Sequence, residues 1–485
     1  TEKAGRKEYL EEFIQNVDLI FSENNLNKIE AVYGKDHRQA LENIIERMKS
    51  GVNRTQKSSA NKNENAFNKW LNNSIGAIMF FNRRSALLQT LSTVNFVNWS
   101  DNNPLKAAQA FANQKQFWED FVMIFNSPKL KQRRSGLNSD VNAAEIASAV
   151  TGAKDKATAA LSYLLKLGFT PTQMVDSFAI ASGGATFYRN RLNTYLAEVD
   201  ADGKKVYTEK QAKEKAFVDF KEISEQSQQS SRTDKISQQQ AGNLGRVVLA
   251  FANTPMQYAR LQKKAMLDLA NKRGDWRENT SKIVYYGFVQ NLIFNAIQNA
   301  LFGLAFADDE QDEKLLSKSG RVANGMADSL LRGTGIPGAI TAQVKNALMV
   351  INSESSKKNP KYSKAIKEVV SISPTVGSKY KKIANALKAA EYGAFDDMKF
   401  SLDNQAYMAM ANVISATTNI PVDRALRKSQ NIQGALNEDY DTWERIAMAA
   451  GWQDWELGIE KKKKSKKKKT TKKKKQSGGI TFDEF

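Results

Sequence analysis

Proline interrupts this chain only eight times in 485 residues, far below the ~5% common in proteins. A proline inside a helix removes a donor and clashes with the preceding turn. A chain this poor in proline is free to run long helices, and its apolar residues recur at the spacing helices need. No run of alternating apolar and polar residues suggests a sheet. The fold class read from the sequence is therefore all-α, an extended multi-helix array or set of bundles.

Residues 1–50 read as a helical hairpin turning at Gly34, with Phe13, Val17, Ile20 and Phe21 on the apolar face of its first helix. Residues 51–65 are polar and read as a linker. A helical domain is expected over 66–223. Within it, a long apolar helical region runs from Ala66 to a break at Asn102-Asn103-Pro104. One amphipathic helix is expected over 105–125, with Phe111, Phe117, Phe121 and Ile124 in register. KLKQRRSG after Pro128 reads as a turn, further helices split at Gly168 and Pro171, and Asp202-Gly203 turns a short hairpin or loop. Residues 224–243 are low-complexity Gln/Ser and read as a loop. A helical segment over 244–310, interrupted near Pro255, precedes a C-terminal helical domain over 311–460. That domain is helical over 378–420, with a helix start at 418–421 and proline in its first turn. Asp441 and Glu444 have capping-box spacing, and Gly451 ends that helix. Residues 461–485 read as a disordered basic tail.

Cysteine is absent, which excludes disulfides, thiolate metal sites and cysteine nucleophiles. The single histidine, His37, excludes a His-rich metal centre and sits in a polar, exposed turn. Asp200-Ala201-Asp202-Gly203 echoes a calcium loop but lacks its remaining ligands. Gly183-Gly184 and Gly333-Thr334-Gly335 lack the context of a phosphate loop, and Asp308-Asp309-Glu310 reads as a solvated helix end. No pair of carboxylates in an apolar frame suggests acid–base work. The expectation is a non-enzyme with no catalytic residue, cofactor or metal.

The net charge is +20, and the 12 lysines within 461–475 carry more than half of it, leaving +8 elsewhere. Lys461, Lys462, Lys463, Lys464, Lys466, Lys467, Lys468, Lys469, Lys472, Lys473, Lys474 and Lys475 form the candidate polyanion-binding tail. Such a block neutralises phosphates without reading sequence and also suits an anionic leaflet. The plainer alternative is a solubilising tail.

Residues 283–307 hold no charge, and ~20 such residues can span a ~30 Å hydrocarbon core. Five amides, Gln290, Asn291, Asn295, Gln298 and Asn299, gather on one half of that helix. Two readings stay open. The run is either a central helix of a soluble bundle, or a helix that enters a membrane conditionally and pairs its amides by oligomerising. Arg83, Arg84, Arg133, Arg134, Trp443, Trp452 and Trp455 are the basic and aromatic residues to test. The arginine pairs read better as salt-bridged than as DNA contacts, and Trp452 and Trp455 read as packing a terminal helix.

Several blocks together carry a resemblance. They are NRRSALLQTLSTVNFVNWSDNNP (82–104), FWEDFVMIFNSPKLKQRRSGL (117–137), DSFAIASGGATFYRNRLNTY (176–195) and LGRVVLAFANTPMQYARLQKKA (244–265). The uncharged run leading into DDEQDEK follows, then TNIPVDRALRKSQNIQGAL (418–436) and WERIAMAAGWQDWELG (443–458). This series, spanning most of 66–460, is similar to the C-terminal region of the large polyvalent proteins of tailed bacteriophages. Those include internal virion proteins of podovirus-like and crAss-like phages.

The resemblance implies a cargo protein packed in the capsid or the portal and tail lumen, then ejected into the host envelope or cytoplasm with the genome. Its implied partners are portal, tail or other cargo proteins, phage DNA without sequence preference, the host membrane, and further copies of itself. Related giant polypeptides carry a virion RNA polymerase or a peptidoglycan lyase in other segments, and no block here matches those. A second reading is a DNA-binding or scaffold subunit for such a co-packaged enzyme. A third is an enzyme whose carboxylate site is not visible in sequence. The opening Thr1 and its charged surroundings suit a trimmed end or a piece released from a precursor.

Overall fold

In the computed structural model the described residues are 14–50, 62–82, 89–97, 102–134, 156–228, 236–292, 318–357, 362–396, 404–437 and 440–451, with a few isolated positions. Among them the chain is all-α, and the sole strand-like feature is an isolated bridge between Val199 and Lys205. The basic tail, Arg83, Arg84, Trp452, Trp455 and the acidic run 308–310 lie outside the described residues.

The N-terminal part holds α1 (Glu23–Tyr33), α2 (Lys35–Ser50) and α3 (Lys62–Met79). A 3₁₀ segment (Thr90–Phe96) leads to α4 (Pro104–Ala112), α5 (Gln114–Phe125), α6 (Pro128–Arg134), α7 (Lys156–Gly168), α8 (Thr170–Ala197) and α9 (Glu209–Ser227). Next come α10 (Gln238–Ala241), α11 (Asn243–Val248), α12 (Asn253–Ala270) and α13 (Trp276–Val284), which runs into a π turn (Tyr285–Val289). The C-terminal part holds α14 (Lys318–Gly333), α15 (Ile336–Ser355), α16 (Ser363–Val370) and α17 (Pro374–Glu391). It closes with α18 (Gln405–Thr418), α19 (Val422–Leu436) and α20 (Thr442–Ala450).

Helix α8 is the hub. It packs against the 3₁₀ segment, α4, α5, α6 and α9, and half of its 28 residues are buried. Its small residues let neighbours approach closely. A Cβ on Gly183 would lie 2.5 Å from the Thr93 carbonyl oxygen, and one on Gly184 would lie 2.3 Å from the Phe220 ring. These glycines serve helix packing. The surrounding core joins Phe96, Phe117, Phe121, Ile124, Leu130, Ile180, Leu192 and Phe220.

Elsewhere most packing joins helices adjacent in sequence, such as α1 with α2, α17 with α18, and α19 with α20. Arg38 ties the first pair by donating to Glu23, Glu30 and Glu42 at 2.5, 3.0 and 2.9 Å. His37 is exposed beside the Tyr33 ring, centroids 5.9 Å apart.

Several expected boundaries move. The N-terminal hairpin breaks a second time at Phe21-Ser22, and Ile20 is 58% exposed rather than packed. Residues 62–65 are the first turn of α3 rather than linker. The long region from Ala66 ends its first helix at Met79, where Phe81 turns to φ 43° and its N–H donates to the Gly168 carbonyl.

The single helix expected over 105–125 is two, because Asn113 caps the second by accepting from Gln116 N–H. That kink leaves Phe111 52% exposed. KLKQRR is α6 rather than a turn, since Pro128 occupies a first turn where its missing N–H costs nothing. The Gln/Ser stretch is also more ordered than its composition suggests. Ser224–Ser227 finish α9, and Ser237 with Gln240 forms a capping box for α10. Pro421 precedes α19, and Asn419 at φ 62° is the left-handed cap of α18. The Asp441/Glu444 capping box and the Gly451 cap form as expected.

Candidate polyanion-binding cleft

Of the five amides in the uncharged run, Gln290 and Asn291 are described, and both are buried. Gln290 Nε2 donates to Asn95 Oδ1 and, at 2.9 Å, to Tyr258 Oη. Tyr258 Oη in turn donates to Asn95 Oδ1 at 3.2 Å. Asn291 Nδ2 reaches the Tyr286 and Gly287 carbonyls in the π turn, and Ser329 Oγ donates to Asn291 Oδ1 at 2.8 Å.

Both amide nitrogens therefore find partners inside the fold, like amides of a bundle core, while Gln290 Oε1 is buried without a partner among the described residues. Asn295, Gln298 and Asn299 lie outside the described residues. Among the described residues no helix is long and apolar enough to cross a membrane. Tyr258, Tyr285 and Tyr286 pack together beside this network. Burial pushes all three phenols up, Tyr286 to about 12.

The buried carboxylates meet cations. Asp176 accepts from Arg133 Nε at 2.6 Å, Asp120 from Arg189 at 2.7 and 2.8 Å, and Glu225 lies 2.9 Å from Lys129. Burial still pushes the Asp120 carboxyl above its ordinary value, outweighing Arg189. Arg134 stacks over the Phe125 ring at 4.1 Å. Arg133 is thus a structural ion pair, as the sequence reading preferred. Asp200 accepts from the N–H groups of Asp202 and Lys204, a plain turn. Among the described residues no cluster suits a metal ion.

A strongly cationic cleft lies where the C-terminal helices meet α3. Its volume is about 570 Å³. Helix α17 lines it with Ser378, Lys381, Lys382 and Asn385, the i, i+3, i+4, i+7 face of one helix. Helix α19 supplies Asp423, Arg424 and Arg427, and the end of α14 supplies Arg332. Ile78, Phe251 and Asn412 also line it.

Local chemistry holds these helices in place. Ser373 caps α17 by accepting from Val376 N–H, with Pro374 in the first turn. Ser415 Oγ donates to the Ile420 carbonyl and accepts from Asp423 N–H, seating the start of α19 on α18. Asn419 Oδ1 accepts from Ser74 Oγ at 2.9 Å and from Lys379 Nζ at 2.6 Å, tying both to α3.

Among the described residues five cations line the cleft against one carboxylate, a surplus of positive charge. Lys382 pairs with Asp423 at 2.9 Å. Burial lowers the Lys382 ammonium's pKa, Asp423 raises it, and Arg424 and Arg427 lower it further. Arg332 donates to Gln343 Oε1 at 3.1 Å. Among the described residues Lys381 and Arg427 make no ion pair. The arrangement can hold an anion with several oxygens, since fixed cations in a partly desolvated cleft attract it more strongly than exposed ones do.

A second cavity of about 580 Å³ involves Arg191, Lys264, Arg277 and Lys282, but also Asp219, Glu222, Asp275 and Glu278. Its charges balance, with Arg191 2.6 Å from Asp219 and Lys282 2.7 Å from Glu278.

Sequence reasoning placed polyanion binding on the tail lysines, which lie outside the described residues, and missed the cleft. The available signal was basic spacing in KYKKIAN and DRALRK, two segments that are unremarkable until α17 and α19 are brought side by side. Comparison with protein-family models, with curated proteins and with solved structures returned no match for this chain.

Proposed function

We propose that this chain is a non-catalytic internal virion protein of a tailed bacteriophage, packaged in the capsid or the portal and tail lumen and ejected with the genome. In this reading it grips DNA through phosphates, with the cleft between α17 and α19 acting beside the lysine tail. The observation that carries the DNA contact is the cleft's charge, five cations against one carboxylate among the described residues. Such contacts are sequence-independent, which suits a protein that travels with a whole genome. The virion location rests on the sequence resemblance.

Two further features agree. The chain has no cysteine to lock it against threading through a narrow lumen. Its helices pack largely with sequence neighbours, and local contacts refold quickly. Contact with the host membrane belongs to the same proposal, but insertion of 283–307 would require the Gln290–Tyr258–Asn95 network to open first.

The second reading is a scaffold subunit for a co-packaged virion enzyme. It draws on the apolar stripe of α15, where Ile340, Val344 and Leu348 are 41%, 45% and 60% exposed at i, i+4 and i+8.

The test is quantitative mass spectrometry of intact particles and of particles emptied of DNA in vitro. The proposal expects the chain in full particles and its loss on emptying. Its absence from full particles, or full retention after emptying, contradicts it.

A further inference from the structure

The same cleft carries features that phosphate binding alone does not use. Phe251 lines it with 41% of its surface exposed, and its ring packs on no other aromatic ring among the described residues. Asn412 lines it too and is only 4% exposed. Its amide makes no hydrogen bond among the described residues. The amide is not sealed from solvent, so it stands open to the donor and acceptor edge of a ligand. An unstacked aromatic face and fixed cations in one cleft are the two components of a site for an unpaired nucleotide, and the Asn412 amide beside them can bond a base edge.

We infer that the cleft takes a segment of single-stranded nucleic acid, with its phosphates on Lys381, Arg424 and Arg427, one base against Phe251 and that base's edge on the Asn412 amide. A duplex offers the phosphates but not the rest. Its bases are stacked on one another, so no base face is free for Phe251, and only edges in a groove are open. The inference rests on the anion-binding reading of the cleft and adds a preference for unpaired strands.

The experiment uses the full chain with serine in place of the 12 tail lysines, so that the tail does not mask the cleft. Fluorescence anisotropy measures a labelled mixed-sequence 12-nucleotide single strand at low salt, with the matching duplex and inorganic polyphosphate as unlabelled competitors. The single strand is expected to bind at least about tenfold tighter than the duplex. Phe251→Ala should weaken the single strand about tenfold and leave duplex and polyphosphate unchanged. Phe251→Trp should restore it, which separates stacking from a folding defect read by circular dichroism. Asn412→Ala should weaken the single strand more than polyphosphate, while Arg427→Gln should weaken all three ligands.

Equal affinity for single strand and duplex, or a Phe251→Ala chain that binds all three as before, overturns the preference and leaves phosphate binding standing. A tail-substituted chain that binds none of the three overturns both.

Discussion

Arg133 and Asp176 show what a single pair does in this chain. Both are buried, they sit 43 positions apart, and they meet at 2.6 Å. Breaking such a pair leaves an uncompensated buried charge. Asp176→Asn should cost about 3 kcal/mol, read as a lower urea midpoint with an unchanged slope. The sequence hinted at Arg133 as an ion-pair former, but nothing local named Asp176, because residues 135–155, all of α7 and the start of α8 intervene.

The buried tyrosines give a second prediction at this scale. In the unfolded chain a phenol ionises near ~10, whereas burial holds Tyr286 protonated to about 12 and raises Tyr258 and Tyr285 as well. Above pH ~10 the folded chain then binds more protons than the unfolded one. The stability present below that pH is lost as pH rises toward about 12. A phenolate absorbance titration should show most of the 14 tyrosines ionising first. The buried four, Tyr188, Tyr258, Tyr285 and Tyr286, should follow only as helical circular dichroism falls. Full ionisation with the helices intact would refute the buried assignment.

Among elements, helix identity was far more legible than helix ends. The Asp441/Glu444 box was readable because an apolar run follows it. The Ser237/Gln240 box uses the same grammar but sits in a Gln/Ser stretch whose composition masks it. Asn113 and Pro128 were ambiguous for a similar reason. Each can end one helix or begin another, and only the packing of Phe117 and Leu130 against α8 decides. Gly183 and Gly184 had no sequence explanation beyond a phosphate loop that fails. Their role is contact, set by residues 90 and 36 positions away, Thr93 and Phe220. Gly183→Ala presses on backbone, which yields little. It should destabilise by about 1–3 kcal/mol, despite the ~0.5–1 kcal/mol that alanine gains over glycine inside a helix. A urea titration that finds the alanine form more stable would mean α8 and the 3₁₀ segment are not in contact.

At the scale of the whole molecule, charge is divided between places of different legibility. The tail's 12 lysines are contiguous and visible at once. The cleft's cations come from α14, α17 and α19, and Asn419 and Ser415 hold α17 and α19 together on α18. The all-α class follows from periodicity and scarce proline, while a site whose lining runs from Ile78 to Arg427 has no signature along the chain. The most direct test of the central claim is the salt dependence of DNA binding by the tail-substituted full chain, with and without Lys381→Gln and Arg427→Gln together. For duplex DNA, log K should fall against log salt with a slope of about −3, and the double substitution should flatten it by about 2. No measurable binding without the tail lysines, or a slope the two substitutions leave unchanged, would contradict the account.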